Sequence, residues 1–202
     1  NQNAGCEALV PSATNAGSSL NLAQWTNPSS PPNAASWIDG VQGIGYERSG
    51  NNTYGPEIGT DVEADMFGIN QSAYIRIPFN ADAAELTDIS QLTLRMKYDD
   101  GFIAYLNGTE VASANAPAGA PAWNSNAGDD HSDSLAVTFE DTDITQHTGL
   151  LQNNNVLAIH LLNRSTTSSD LLCLPRLDAE FVSDPGLGDI GYFQQSSPGG
   201  AN

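Results

Sequence analysis

The pattern of apolar and polar side chains over residues 92–114 (LTLRMKYDDGFIAYLNGTEVASA) reads as three short strands joined by two tight turns. Leu92, Leu94 and Met96 interleave with Thr93, Arg95 and Lys97, the period-2 signature of a strand with one buried face. Asp99-Asp100-Gly101 predicts a tight reversal and residues 102–106 a returning strand. Asn107-Gly108 predicts a type I′ hairpin turn, because both of its central positions need positive φ. Residues 110–114 then complete a three-strand meander. Phe102 and Tyr105 lie on one short strand with opposite parity, so they face opposite ways.

The same reading extends along the chain. Residues 73–79 (AYIRIPF) alternate, with Pro78 suggesting an edge or a strand end, and residues 155–162 (NVLAIHLL) are the most apolar run, which suits a central strand. Residues 135–139 (LAVTF) read as a strand, 140–143 (EDTD) as an acidic turn, and the stretch up to Leu151 as a short helical turn. Residues 171–174 and 177–182 would close the second sheet. Upstream, residues 7–10 and 20–22 read as strand fragments, 37–47 as an aromatic anchor feeding a glycine-rich turn, and 62–67 as a short helix or turn. Eight or nine short strands, long loops and almost no i, i+3, i+4 patterning predict an all-β jelly-roll sandwich of two antiparallel sheets. We expect one module over residues 1–182 and a Gly/Pro/Ser-rich linker or tail over 183–202, with more protein beyond it.

Charge narrows the partners. Six Lys and Arg stand against 24 Asp and Glu, a formal charge of -18, and no cation falls between Lys97 and Arg164. A polyanion meets a repulsive field with no basic groove, which excludes nucleic acid and disfavours sulfated or uronate polymers. No apolar run is long enough to span a membrane. The chain opens without a signal peptide, as a mature or excised module would, and its acidity suits a secreted or cell-surface setting. Cys6 and Cys173, near opposite ends of the chain, are candidates for a disulfide tying the first and last strands, with two unpaired thiols as the alternative.

Turns rich in oxygen donors are where a hard cation binds, since calcium takes six to eight oxygens from carboxylates, amides and carbonyls. The candidates are Asp99 and Asp100, then Asp129, Asp130 and Asp133, then Asn163 with Asp170. In a jelly roll, turns distant in sequence meet at one end, so two of these sets can complete a site. The alternative for Asp99-Asp100-Gly101 is an ordinary turn whose aspartates bond their own backbone. For a sugar, Trp123 on a long polar loop is the first stacking platform, followed by Tyr54 and Trp25, with Asn163 as a polar contact. Each aromatic has the alternative of folding back over its loop. His131, His147 and His160 sit in no recognisable catalytic motif, so we expect no enzyme activity.

The phrases YDDGFIAYLNGTEVA (98–112), NNNVLAIHLLN (153–163), SSDLLCLPRL (168–177) and WIDGVQGIGYE (37–47) resemble the galactose-binding-domain-like sandwiches of large, multi-domain secreted bacterial proteins. The hairpin and the later apolar strand are also similar to the sugar-binding jelly roll of family 2 glycosidases. Asp99-Asp100 resembles the paired aspartates of PA14-type lectin domains, which implies a calcium ion that in turn holds sugar hydroxyls. Together these imply a non-catalytic carbohydrate-binding module that takes a polysaccharide, with bound calcium. An adhesion or spacer module with no small ligand is the rival on the same fold.

Overall fold

The computed structural model describes residues 5–29, 36–50, 53–82 and 85–182; the expected linker at 183–202 lies outside them. The strands are β1 (Gly5–Leu9), β2 (Ile38–Val41), β3 (Ile44–Glu47), β4 (Thr60–Asp61), β5 (Ser72–Asn80) and β6 (Ile89–Asp99). They continue as β7 (Gly101–Leu106), β8 (Thr109–Ala114), β9 (Glu140–Asp143), β10 (Asn154–Leu162) and β11 (Asp170–Phe181). One sheet has the order β2-β1-β5-β10-β7-β8 and the other β4-β3-β11-β6-β9. The result is the expected all-β sandwich, antiparallel throughout except for a short parallel pairing of β3 with β4.

Between the sheets lies one apolar core. Leu92, Leu94 and Met96 of β6 face Ile75 and Ile77 of β5, with Leu157, Ile159 and Leu161 of β10 beside them. The alternate residues of β5, β7 and β10 point the other way, where Tyr74, Tyr105, Ala158 and Leu162 form a second cluster roofed by Trp25. Trp25 belongs to α1 (Leu22–Thr26), where a strand fragment was expected; an Asn21–Gln24 capping box starts this helix instead. Because the first sheet is covered on both faces, β10 reads as an unbroken apolar run and lies centrally.

Several expectations change at the level of pairing. Of the two readings of Pro78, the strand end holds and the edge strand does not: β5 (ending at Asn80) lies between β1 and β10, but β1 pairs only with Tyr74, Ile75 and Arg76, so Pro78 falls beyond its reach. Residues 171–182 are not two strands, because β11 runs through Pro175 where β3 has already ended at Cys173. Residues 135–139 form no strand. A short helix falls at 63–66 as α2 (Glu63–Met66), and α3 (Asp133–Ala136) takes up the start of the 135–139 stretch, with Leu135 half exposed and Ala136 packed on Tyr54 and Leu172 outside the second sheet. The acidic residues 140–143 are instead β9, an exposed edge strand whose carboxylates discourage further pairing. Cys6 and Cys173 face the core from opposite sheets as free, buried thiols, not as the expected disulfide. Burial raises both thiols, Cys6 to about 12. Among the described residues no helix is long and apolar enough to cross a membrane.

The Asn107-Gly108 turn has the predicted conformation, with φ of 50° and 90°. Asn107 also pins this turn to β10. Its Nδ2 donates to the Leu150 carbonyl and to Asn155 Oδ1, and its Oδ1 accepts from the Val156 amide. Asn107→Asp replaces the donating nitrogen by an acceptor facing two acceptors, and is expected to cost about 2 kcal/mol in a urea melt. A cost below about 0.5 kcal/mol would show that the turn does not depend on this clasp.

Candidate functional site

The Asp99-Asp100-Gly101 segment is a crossover and not a hairpin. Asp99 pairs with Leu172 in one sheet and Gly101 with Leu162 in the other, so the chain changes sheets within three residues. Residues 163–169 make the reverse crossing at the same end of the sandwich, from β10 to β11. The two crossings touch, with the Asp100 amide donating to the Leu162 carbonyl. A third segment closes over them: the Ala127 amide donates to the Asn163 carbonyl and the His131 amide to Asp100 Oδ1. Between the three lies a cleft of about 540 Å³.

Five of the six aspartates named as metal candidates line this cleft: Asp99, Asp100, Asp130, Asp133 and Asp170. Asp129 does not; it is exposed, and its Oδ1 accepts from the Asp130 amide. The five are not equivalent. Asp100 is fixed by two backbone donors, the His131 amide on Oδ1 and the Arg164 amide on Oδ2. Asp130 pairs with Arg164 Nε at 2.9 Å on the rim. Asp170, reached by the Ser168 and Ser169 hydroxyls, has its carboxyl raised by burial and by the charges of Asp133 and Glu47.

Asp99 is the outlier. It is 2% exposed, and its Oδ2 has no hydrogen-bond partner although the residue lines the cleft. Burial first, then the neighbouring Asp100, Asp170 and Asp133, push its carboxyl up to about 9. Two more buried oxygens outside normal hydrogen-bond geometry, Tyr54 OH and Asn163 Oδ1, belong to the same end of the sandwich, and the Tyr54 hydroxyl lies beside the Asp99 carboxyl. Asn163 is a brace: its Nδ2 donates to the Asp170 carbonyl and to Tyr46 OH, both buried. The Asp99–Asp100 peptide is cis.

The aromatic candidates are elsewhere. Trp25 is 2% exposed, stacked on Tyr74 at 4.2 Å with Tyr105 edge-on, so no ring face is left for a sugar. Tyr54 is fully buried under α3, and burial and the charge of Asp99 raise its hydroxyl. Trp123 is half-buried against the outer cluster of the first sheet and does not line the cleft. Sequence reasoning missed Arg164, whose signal was its position directly after Asn163 at the end of a long cation-free stretch. It also missed His131 as part of the wall. That ring stacks on Tyr98 at 4.2 Å, with Nδ1 2.8 Å from the Tyr98 carbonyl and Nε2 2.9 Å from Glu140.

No family model matches the chain, and no curated protein matches it in sequence. Solved structures similar to it include a β-glucuronidase from an uncultured Clostridium species, 10% identical over 91% of this chain and 33% of that one, with a TM-score of 0.44. Bacteroides uniformis β-glucuronidase 2 is 12% identical over 85% of this chain and 17% of its own, also with a TM-score of 0.44. A glycosyl hydrolase family 2 member from Bacteroides cellulosilyticus is 10% identical over 86% and 20%, with a TM-score of 0.43. The chain therefore spans a third or less of the length of each of these structures.

Proposed function

We propose that this chain is a non-catalytic carbohydrate-binding module of a larger secreted or cell-surface protein, and that the end cleft holds calcium and, through it, a polysaccharide. The supporting observation is the unpaired, buried Asp99 Oδ2 in a cleft walled by carboxylates and serine hydroxyls. These are the hard oxygen donors that calcium prefers. Among the described residues no three His, Cys, Asp or Glu side chains converge tightly enough to hold an ion as they stand. On this reading Asp99 and Asp170 supply the inner ligands and draw together around the ion, while Asp100 stays on its two amides. Such a site binds sugar hydroxyls without an aromatic platform. A non-catalytic role agrees with His131 spending both ring nitrogens on the Tyr98 carbonyl and Glu140, and with His160 being buried.

A spacer or adhesion module is the second reading. It is favoured by the inward packing of Trp25 and Tyr54, the pattern expected of a domain with no stacking site. One experiment separates the two: affinity electrophoresis and pull-down on a panel of soluble and insoluble polysaccharides, with calcium and with chelator. A glycan module is expected to be retained by at least one polymer, with retention lost on chelation and in Asp99→Asn. Retention on none overturns it in favour of the spacer.

Calcium itself has a separate readout. An ion at a hundred times its Kd adds about 2.7 kcal/mol, which for a domain of this size raises Tm by roughly 5–10 °C. Asp99→Asn is expected to abolish that rise. A Tm unmoved by calcium in the wild type removes the ion from the proposal.

A further inference from the structure

The charge of the cleft says which glycans it takes, given the reading of it as a glycan site. Arg164 is its only Lys or Arg, and the guanidinium is already held by Asp130 on the rim. His131, also on the wall, is paired through Nε2 with Glu140, a carboxylate that does not line the cleft. Asp100 is hydrogen-bonded by two backbone amides and by no cationic side chain among those described. Of five lining carboxylates, Arg164 balances one and a divalent cation two, so two remain uncompensated even in the loaded site. The acidic cluster does not stand alone as a signal, because Asp99, a lining residue, is 2% exposed and its Oδ2 has no hydrogen-bond partner. A carboxylate on the ligand would be repelled here and an ammonium attracted, at short range where screening is weakest.

We propose that the cleft selects glycans bearing free amines, such as deacetylated amino sugars, over their N-acetylated or uronate counterparts, with the exposed Asp133 receiving the ammonium. Asp133 is suited to this because it lines the cleft from the first turn of α3 and has neither a salt bridge nor a fixed hydrogen bond among those described.

The test is titration calorimetry at 150 mM salt with calcium, using three hexasaccharides of equal length: β-1,4-glucosamine, its N-acetylated form and α-1,4-galacturonate. The amine form is expected to bind about tenfold tighter than the acetylated one, with galacturonate not binding. General attraction of a polycation to an acidic protein is separated by two charge-matched variants. Asp133→Asn is expected to narrow the amine-to-acetyl ratio several-fold. Asp65→Asn, exposed and off the cleft, is expected to leave that ratio unchanged. Equal affinity for the two forms, or the same narrowing in the remote variant, overturns the amine selectivity and leaves the glycan reading standing. Failure to bind any of the three while the polysaccharide panel still shows calcium-dependent retention also overturns it, whereas silence on the whole panel removes the glycan reading itself.

Discussion

Replacing Arg76 by alanine is expected to destabilise the protein by about 3–5 kcal/mol, the usual consequence of removing one partner from a buried ion pair. Arg76 is 3% exposed on β5, on the outer face of the first sheet. Its Nε donates to Glu7 of β1 at 2.9 Å, and its Nη1 donates to the carbonyl of Trp25 at the end of α1. One guanidinium therefore joins the sheet to the helix that roofs it. Without it, Glu7 loses its cationic partner and the α1 carbonyl its donor, while Trp25 loses the anchor that holds it over Tyr74. Glu7→Gln leaves the buried guanidinium without its counter-ion but keeps an amide oxygen to accept from Nε at a position a third exposed, so it is expected to cost less, about 1–2 kcal/mol. Urea denaturation followed by near-UV circular dichroism reads both the stability and the packing of Trp25. A loss below about 1 kcal/mol for Arg76→Ala would mean that α1 is held by its apolar contacts alone.

What the sequence revealed of this arrangement follows from which interactions are local. The alternation in residues 92–97 reports burial of one side of a strand, so that strand and its facing were readable, while the unbroken apolar run at 102–106 marks a strand covered on both faces. Alternation does not say which sheet a strand joins. For that reason Asp99-Asp100-Gly101 reads as a hairpin although it is the crossing between two sheets. The run at 135–139 alternates by coincidence, since only Ala136 of it is buried and α3 lies outside the second sheet.

The site was legible in its parts and not in its selection. Oxygen-rich turns name Asp99, Asp100, Asp130, Asp133 and Asp170, but Asp129, one position from Asp130, is excluded only by the path of its loop. The aromatics failed for the opposite reason. Trp25 and Tyr54 sit in polar sequence, yet each is covered by residues distant along the chain: Tyr74 and Tyr105 in one case, Ala136 and Leu172 in the other. Arg164 announces nothing by itself, and it becomes part of the site because Asp130 is brought to it.

His160 sets the last expected result, a loss of stability of about 3 kcal/mol specific to acid and removable by one substitution. The ring is 2% exposed on β10, edge-on to Tyr74 and Trp25, and its Nε2 has no partner. Burial lowers its pKa from 6.5 to about 4. Below pH 6.5 the unfolded chain takes up a proton that the folded one refuses, so stability falls as pH drops, until the folded ring also protonates near pH 4. At 1.36 kcal/mol per pKa unit the shift corresponds to about 3 kcal/mol. Asp99 works in the opposite direction: with its folded pKa raised to about 9, it stays protonated while the unfolded group ionises, so without calcium stability rises as pH falls from 9 towards 4. The two slopes offset each other between pH 4 and 6.5, and the wild-type profile alone would hide both. The informative quantity is the difference between His160→Leu and wild type. Leucine fits an environment made of Tyr74 and Trp25, and burial alone, with no charged neighbour, accounts for the lowered pKa of the ring. From pH 7.5 to pH 4 the variant is expected to gain about 3 kcal/mol on wild type in urea melts, with most of the gain below pH 6.5. A difference that stays constant with pH would show that the folded protein protonates His160 as readily as the unfolded chain does, and that the ring is reached by water.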